Sequence, residues 1–237
     1  MTLLSGSPAA LSQAPKCYID NSWWCPYYWS DRKPELTEAL TQHVILTVIS
    51  VAAGFALAFP LALLARRYRR LESTVLGVTT MIYTVPSLAL FSLLAPYTGL
   101  TARTVVIGLA LYSLTILVRN VLAGLRSVPS DVREAAVGNG YGPAQLLFRI
   151  ELPLALPVIM AGLRVATVST VALVTIGSIV GPYGGLGNLL LDAVTSQFKA
   201  QIFAASVLCV ALAIALDLGL VVVQRLVTPW TRTGGEA

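Results

Sequence analysis

The sequence predicts an all-α, polytopic membrane protein with about five transmembrane helices and a polar, helix-prone loop between the third and the fourth. Three observations carry this prediction. Hydrophobic residues make up 56% of the chain and charged residues only 11%, where soluble domains carry about 25% charged residues. The apolar residues fall into long runs separated by short polar pieces, and mean hydropathy is +0.77. The arginines gather at the ends of those runs, with a strong bias to one side.

Residues 1–39 form a predicted external amino-terminal segment. They lack a basic start followed by an apolar core, so no cleaved signal is expected there. The stretch Cys17-Tyr18-Ile19-Asp20-Asn21-Ser22-Trp23-Trp24-Cys25-Pro26-Tyr27-Tyr28-Trp29 sets two cysteines among aromatic residues. An oxidising exterior permits a disulfide between Cys17 and Cys25. Trp and Tyr also favour the membrane interface, where the ring is half buried and its polar tip stays wet. An interfacial anchor and a stapled flap are both compatible with this composition.

The transmembrane domain spans residues 40–224. A bilayer core of about 30 Å takes roughly 20 apolar residues of helix. The runs of that length are Leu40–Ala65, Val75–Pro96, Thr104–Leu125, Leu154–Val180 and Ile202–Gln224. Arg66, Arg67, Arg69, Arg70, Arg119, Arg126, Arg133, Arg149, Arg225 and Arg232 lie on one side. Lys16, Arg32, Lys33, Arg103 and Lys199 lie on the other, and Arg164 is left within the fourth run. Basic residues favour the cytoplasmic side. The amino terminus is therefore expected outside, and the loop 126–153 and the tail 225–237 inside. Cys209, in the fifth run, reads as packing.

The loop 126–153 has its own local logic. Ser130 or Asp131 is a candidate helix cap, and Glu134 follows Asp131 at capping-box spacing. Ala135 and Ala136 favour helix and present a small face. Gly140 and Gly142-Pro143 should end that helix. A second amphipathic stretch, Ala144–Ile150, leads to Pro153, which suits a helix start, and Pro157, which suits a kink.

Most enzyme classes are disfavoured. His43 is the single histidine, which leaves little for a His-based triad or a multi-His metal site, and no metal site is expected. The chain has no Gly-x-x-x-x-Gly-Lys-[Ser/Thr] phosphate loop, and its three lysines all fall on the predicted outside. Gly138-Asn139-Gly140-Tyr141-Gly142 lacks Gly-x-Gly-x-x-Gly spacing and no strand precedes it. The basic balance of +5 is explained by topology, so no nucleic-acid partner is expected. Membrane lipids are.

Glu134-Ala135-Ala136, then Gly140, then Ile150, Leu152 and Pro153 together resemble the EAA loop of ABC importer permeases. Thr84-Val85-Pro86-Ser87-Leu88-Ala89-Leu90 is similar to the IPSLAL signature of osmoprotectant permeases, which handle glycine betaine, carnitine and choline. The run from Glu151 to Arg164 and Gly184-Gly185-Leu186-Gly187 resemble the same branch. The likeness extends from about His43 to Asp192. Valine stands at 85 where isoleucine is frequent, and Gly181-Pro182-Tyr183 replaces a shorter Gly-Ala turn.

The resemblance implies a type I importer fold and a transport subunit that performs no bond chemistry. It implies a second permease subunit, identical or different, and a dimer of separate ATPase subunits that hold ATP and Mg. It also implies an external substrate-binding protein and the inner membrane of a bacterium. In that family the loop docks on the ATPase, which makes Glu134, Ala135, Ala136, Gly140, Ile150, Leu152 and Pro153 the expected coupling residues. Betaine-like osmolytes are the expected cargo, with another small cation or zwitterion such as ergothioneine as the alternative. A passive channel is the rival of a different class.

Charges inside the bilayer are scarce and expensive. Arg164 lies roughly 16 Å up a helix from Pro153, and Asp217 roughly 12 Å from Arg225, so their depths match. They read as a structural pair between spans, or as an element that changes partner as a pathway opens. Tyr83, Phe91 and Tyr112 read either as packing or as π faces for a quaternary ammonium, with Pro86 and Ser87 of the second-span signature as further pathway candidates. Gly184, Gly185 and Gly187 form either an outer gate or a re-entrant turn.

Overall fold

Prolines break or reshape two spans of this bundle, and small side chains set how closely its central helices pack. The computed structural model describes residues 15–181 and 183–232. Residues 1–14 of the amino-terminal segment, Pro182 of the Gly181-Pro182-Tyr183 turn and residues 233–237 of the tail lie outside the described residues. Among the described residues there are helices and turns but no strand. Two short helices, α1 (Lys16–Ile19) and α2 (Pro26–Asp31), form a cap. The long helix α3 (Lys33–Arg67) follows, then α4 (Arg69–Thr84), α5 (Ser87–Thr98) and α6 (Ala102–Arg126). The polar loop holds α7 (Ser130–Gly138). The helix α8 (Pro143–Val180) leads to α9 (Leu186–Ser196) and α10 (Lys199–Val227).

Helix α3 has 35 residues, or roughly 52 Å of length, so it overshoots a bilayer core. It starts at Lys33 rather than at Leu40. Proline is tolerated in a first turn, where Pro34 sits, and Glu35 there complements the positive end of the helix dipole. Its buried face is a ladder of small residues one turn apart: Ser50, Gly54, Ala58, Ala62 and Ala65. Small side chains let membrane helices approach backbone to backbone, and α6 takes that place. Buried on nearly every side, α6 is the axis of the bundle: 67% of its apolar window is enclosed, against 6% for α10. From α8, Ala155, Ile159 and Ala166 complete the core around Val118, Val121 and Leu125. Helix α10 is peripheral, so most of its apolar surface is left for lipid or another subunit.

The second span departs from the continuous run Val75–Pro96. Helices α4 and α5 meet at 97°. Val85 (φ −67°, ψ 129°) and Pro86 (φ −56°, ψ 136°) are both extended at the break. Proline has no N–H to continue the ladder and drives the preceding residue out of the helical region. Both residues are apolar, so hydropathy runs through the break unchanged.

The fourth span also departs from expectation. Ala144–Ile150 is not a separate amphipathic helix, and Pro153 does not start one. Helix α8 runs from Pro143 without interruption, widening to π-helical geometry over Leu146–Glu151. Pro153 would clash with the carbonyl of Arg149 and cannot donate to it. The wider turn just before the proline gives that carbonyl room.

Candidate functional site

The polar loop folds into a small platform at one end of the bundle. Its helix α7 has Pro129 at the N-cap position, and no side chain caps it. The expected capping by Ser130 or Asp131 is therefore not seen: both residues lie within the first turn, where Asp131 still complements the dipole. The C-terminal end is a Schellman motif. The N–H of Gly140 donates to the Val137 carbonyl at 2.9 Å, and the N–H of Tyr141 donates to the Ala136 carbonyl at 3.1 Å. Gly140 has φ +84° with open space around it. Glycine is required there by conformation, not by crowding.

Glu134 and Ala135 are exposed, whereas Ala136 is buried. Val137 on α7 and Phe148 at the start of α8 are 57% and 59% exposed, large apolar groups left open. Ile150, Leu152 and Pro153 are half-buried. Leu147 and Leu152 pack against the bundle core, so the loop residues divide into an outward face and a seat.

Glu151 holds this platform to the bundle. Its carboxylate is buried, with 4% of the side chain exposed. Arg66, in the last turn of α3, grips it with both guanidinium ends, at 2.7 and 2.5 Å. Arg133 of α7 approaches from another side at 3.1 Å. The same Arg133 donates to the Leu125 carbonyl at the end of α6 at 2.5 Å. Three elements, α3, α7 and α8, thus meet at one acid, and Arg133 extends the contact to the end of α6. Glu151 is not among the residues expected to couple from sequence, although it lies between Ile150 and Leu152. The available signal was a lone acid at the boundary of an apolar span, opposite an arginine-rich helix end.

One face of α6 bonds the end of α4 and the 97° break that follows it. The Tyr112 hydroxyl donates to the Val85 carbonyl. Thr115 Oγ1 donates to the Thr79 carbonyl at 2.5 Å, and Arg119 donates to Thr80 Oγ1 at 2.9 Å. Tyr83 is half-exposed and packs edge-on against Tyr112, with ring centroids 5.7 Å apart. Pro86 is exposed and Ser87 partly so. Phe91 is fully buried between Leu46, Val105, Leu109 and Val174, so both its ring faces are occupied by the protomer. Of the three expected aromatics, Tyr83 alone presents a substantial open surface.

At the other end, Gly184, Gly185 and Gly187 are wedged against α3 and α8. A Cβ on Gly185 (φ +54°) would lie 2.8 Å from His43 backbone atoms, and one on Gly187 would lie 2.4 Å from the Thr175 carbonyl oxygen. The N–H of Gly185 donates to Gln42 Oε1 at 3.2 Å. Buried His43 reaches the Val171 carbonyl through Nε2 at 3.0 Å. The glycines are a close-packed corner tied to α3.

Arg164 of α8 and Asp217 of α10 form a two-pronged ion pair, both bonds 2.8 Å. Cys17 and Cys25 are joined by a disulfide, Cα–Cα 5.5 Å. Asn21 latches the stapled cap onto the α9–α10 turn. Its Nδ2 donates to the Gln197 carbonyl at 2.8 Å, and its Oδ1 accepts from Lys199 N–H at 2.9 Å. Tyr18 and Tyr28 pack edge-on against Phe198. Burial pushes the Tyr28 phenol up to about 12. Cys209 lies half-buried beneath the cap, in the packing role expected of it. Among the described residues, no group of three or more His, Cys, Asp or Glu is arranged to hold a metal ion.

The chain matches the family model described as "Binding-protein-dependent transport system inner membrane component" over residues 44–233. It is 35% identical over 210 residues to the glycine betaine/carnitine/choline transport system permease protein OpuCD of Bacillus subtilis, covering 88% of this chain and 91% of the relative. It is also 35% identical over 208 residues to the osmoprotectant import permease protein OsmW of Salmonella typhimurium, covering 86% and 96%. Among solved structures, an inward-facing MetNI methionine ABC transporter chain superposes with TM-score 0.73 at 22% identity, covering 81% of this chain and 96% of that one. An amino acid ABC transporter gives TM-score 0.66 at 19% identity, covering 87% and 98%. At these identities the structural likeness shows the fold.

Proposed function

The chain belongs to the family of binding-protein-dependent transport system inner membrane components, and from that premise we propose that it carries betaine-like osmolytes inward, driven by ATPase subunits that grip α7. It is a multi-pass permease of the inner membrane with the type I importer fold. The single observation that carries the coupling part of the proposal is the α7 platform. A short helix with a Schellman stop presents Glu134, Ala135 and Val137 outward, Phe148 at the start of α8 is exposed as well, and Glu151 ties the helix to the bundle. A rigid, half-apolar knob of this kind is suited to a cleft on a partner.

In this reading the platform faces the cytoplasm, with the amino terminus and the cap outside and the carboxyl terminus inside. The side-to-side arginine bias supports that orientation. ATP and Mg bind the separate ATPase pair. A second permease subunit completes the pathway, and an external binding protein delivers the cargo. Glycine betaine, carnitine or choline is favoured as cargo by the names of relatives such as OpuCD and OsmW. Tyr83 is the favoured aromatic contact for a quaternary ammonium, because its ring is open. The test is to purify the complex from its native host and measure ligand binding by the external protein that co-purifies. A co-purifying ATPase and binding of one of these quaternary amines support the proposal. A chain that purifies without an ATPase contradicts it.

A further inference from the structure

We propose that Glu151 is the positioning residue through which motion of α7 enters the bundle, by fastening α7 to α3 so that the two move as one body. This rests on the reading of α7 as the ATPase-docking helix. Apart from buried Ala136, α7 is largely exposed. Its charged tie to the bundle runs through Arg133, whose Nε lies 3.1 Å from Glu151 as an ion pair outside hydrogen-bond geometry, and whose guanidinium donates to the Leu125 carbonyl at 2.5 Å. Glu151 in turn is held by Arg66 at 2.7 and 2.5 Å. A buried carboxylate held from two elements resists sliding, because moving either arginine away strips a charged contact from a group that cannot turn to water instead.

Arg66 also sets where the motion goes. From Arg66 back to Gln42, α3 is one uninterrupted helix of roughly 36 Å. Gln42 holds the Gly185 N–H at 3.2 Å, and His43 lies against the same glycine. A displacement received at α7 is therefore carried along α3 to the glycine corner at the far end, as well as through the covalent chain of α6 and α8. Both ends of that route are physical contacts of one helix, whose backbone stays helical through Pro60, so the two sites are joined by contiguous structure.

Two readouts on the assembled complex test this. In the first, which needs no substrate, Glu151→Gln raises hydrogen exchange of the α7 amides about tenfold while the middle of α6 is unchanged. In the second, uptake per ATP hydrolysed in proteoliposomes falls about tenfold for Glu151→Gln and for Arg66→Gln, with the ATPase still bound. The double variant is no worse than either single, because both remove one link. Glu151→Asp keeps the charge and restores most of the uptake per ATP. Wild-type exchange and wild-type uptake per ATP in Glu151→Gln overturn the proposal. So does a faster-exchanging α7 with full uptake per ATP, or a double variant whose loss is the product of the two singles. If Glu151→Gln does not assemble, Arg66→Gln and Glu151→Asp decide by the same criteria. Absence of ATP-driven uptake in the wild type counts against the transport reading instead, and the exchange measurement still judges the tie.

Discussion

Arg164 and Asp217 lie 53 residues apart in sequence and meet in a two-pronged ion pair, each bond 2.8 Å, that joins α8 to the otherwise peripheral α10. In an apolar bundle this pair fixes which face of α10 meets α8. Each single neutralisation, Arg164→Gln or Asp217→Asn, leaves one charge stranded at membrane depth. Each is therefore expected to lower the yield of assembled protein more than the double variant does. Detergent-resistant assembly, quantified for the four proteins of the cycle, checks this. Additive losses would mean that the two side chains do not act on one another.

The cap makes a prediction of its own. Cys17 and Cys25 are bonded, and Asn21 and the two tyrosines seat the loop on the α9–α10 turn. Thiol labelling without reductant should miss both cysteines and label them only after reduction. Cys25→Ser should destabilise the cap by about 2–4 kcal/mol, seen as faster hydrogen exchange in residues 16–31. Full labelling of both cysteines without reductant would remove the staple from the account.

Tyr112 and Val85 show how the broken span is tolerated. Backbone freed at membrane depth must find partners, and the Tyr112 hydroxyl supplies one. Tyr112→Phe keeps the ring against Tyr83 and deletes the hydroxyl. It should destabilise the protein by about 1–3 kcal/mol, measured as a lower Tm. Unchanged stability would show that the Val85 carbonyl has another donor.

Gly140 separates conformation from contact. Its φ is +84° and nothing lies within 4 Å of a built Cβ. Gly140→Ala should weaken the α7 stop by about 1 kcal/mol through backbone strain alone, and Gly140→Asn by less. Gly140→Trp adds bulk on the outward side and should cut ATP-driven uptake more than Gly140→Ala. Hydrogen exchange in α7 together with uptake distinguishes these effects. Equal uptake from the alanine and tryptophan variants would mean that no partner sits there.

The spans were legible in the sequence because a bilayer crossing is a length of apolar residues, and α3, α6, α8 and α10 all exceed it. The stop of α7 was legible because Gly140 is a local signal. The break at Val85 was not, since a hydropathy window averages over two apolar residues whose backbone angles are what changed. The continuity of α8 was hidden for the opposite reason: Pro153 looks like a helix boundary, and only the wider turn before it lets the helix pass. Glu151 escaped notice as a site because its partners, Arg66 and Arg133, come from two other elements. Phe91 was placed by type as an open aromatic, whereas its burial depends on α3, α6 and α8 together.

The measurement that bears most directly on the account is substrate uptake into proteoliposomes containing the permease with its ATPase and binding protein, with and without ATP, for wild type and Glu134→Lys. Glu134 is exposed beside Val137 on the outward face of α7, so the substitution reverses the charge offered to a partner. The account predicts uptake by the wild type with ATP alone. In Glu134→Lys, uptake and substrate-stimulated ATP hydrolysis should fall together, while the spans stay folded and the binding protein keeps its affinity. Uptake that proceeds equally without ATP, or a Glu134→Lys variant with full ATP-driven uptake and normal ATPase association, would contradict it.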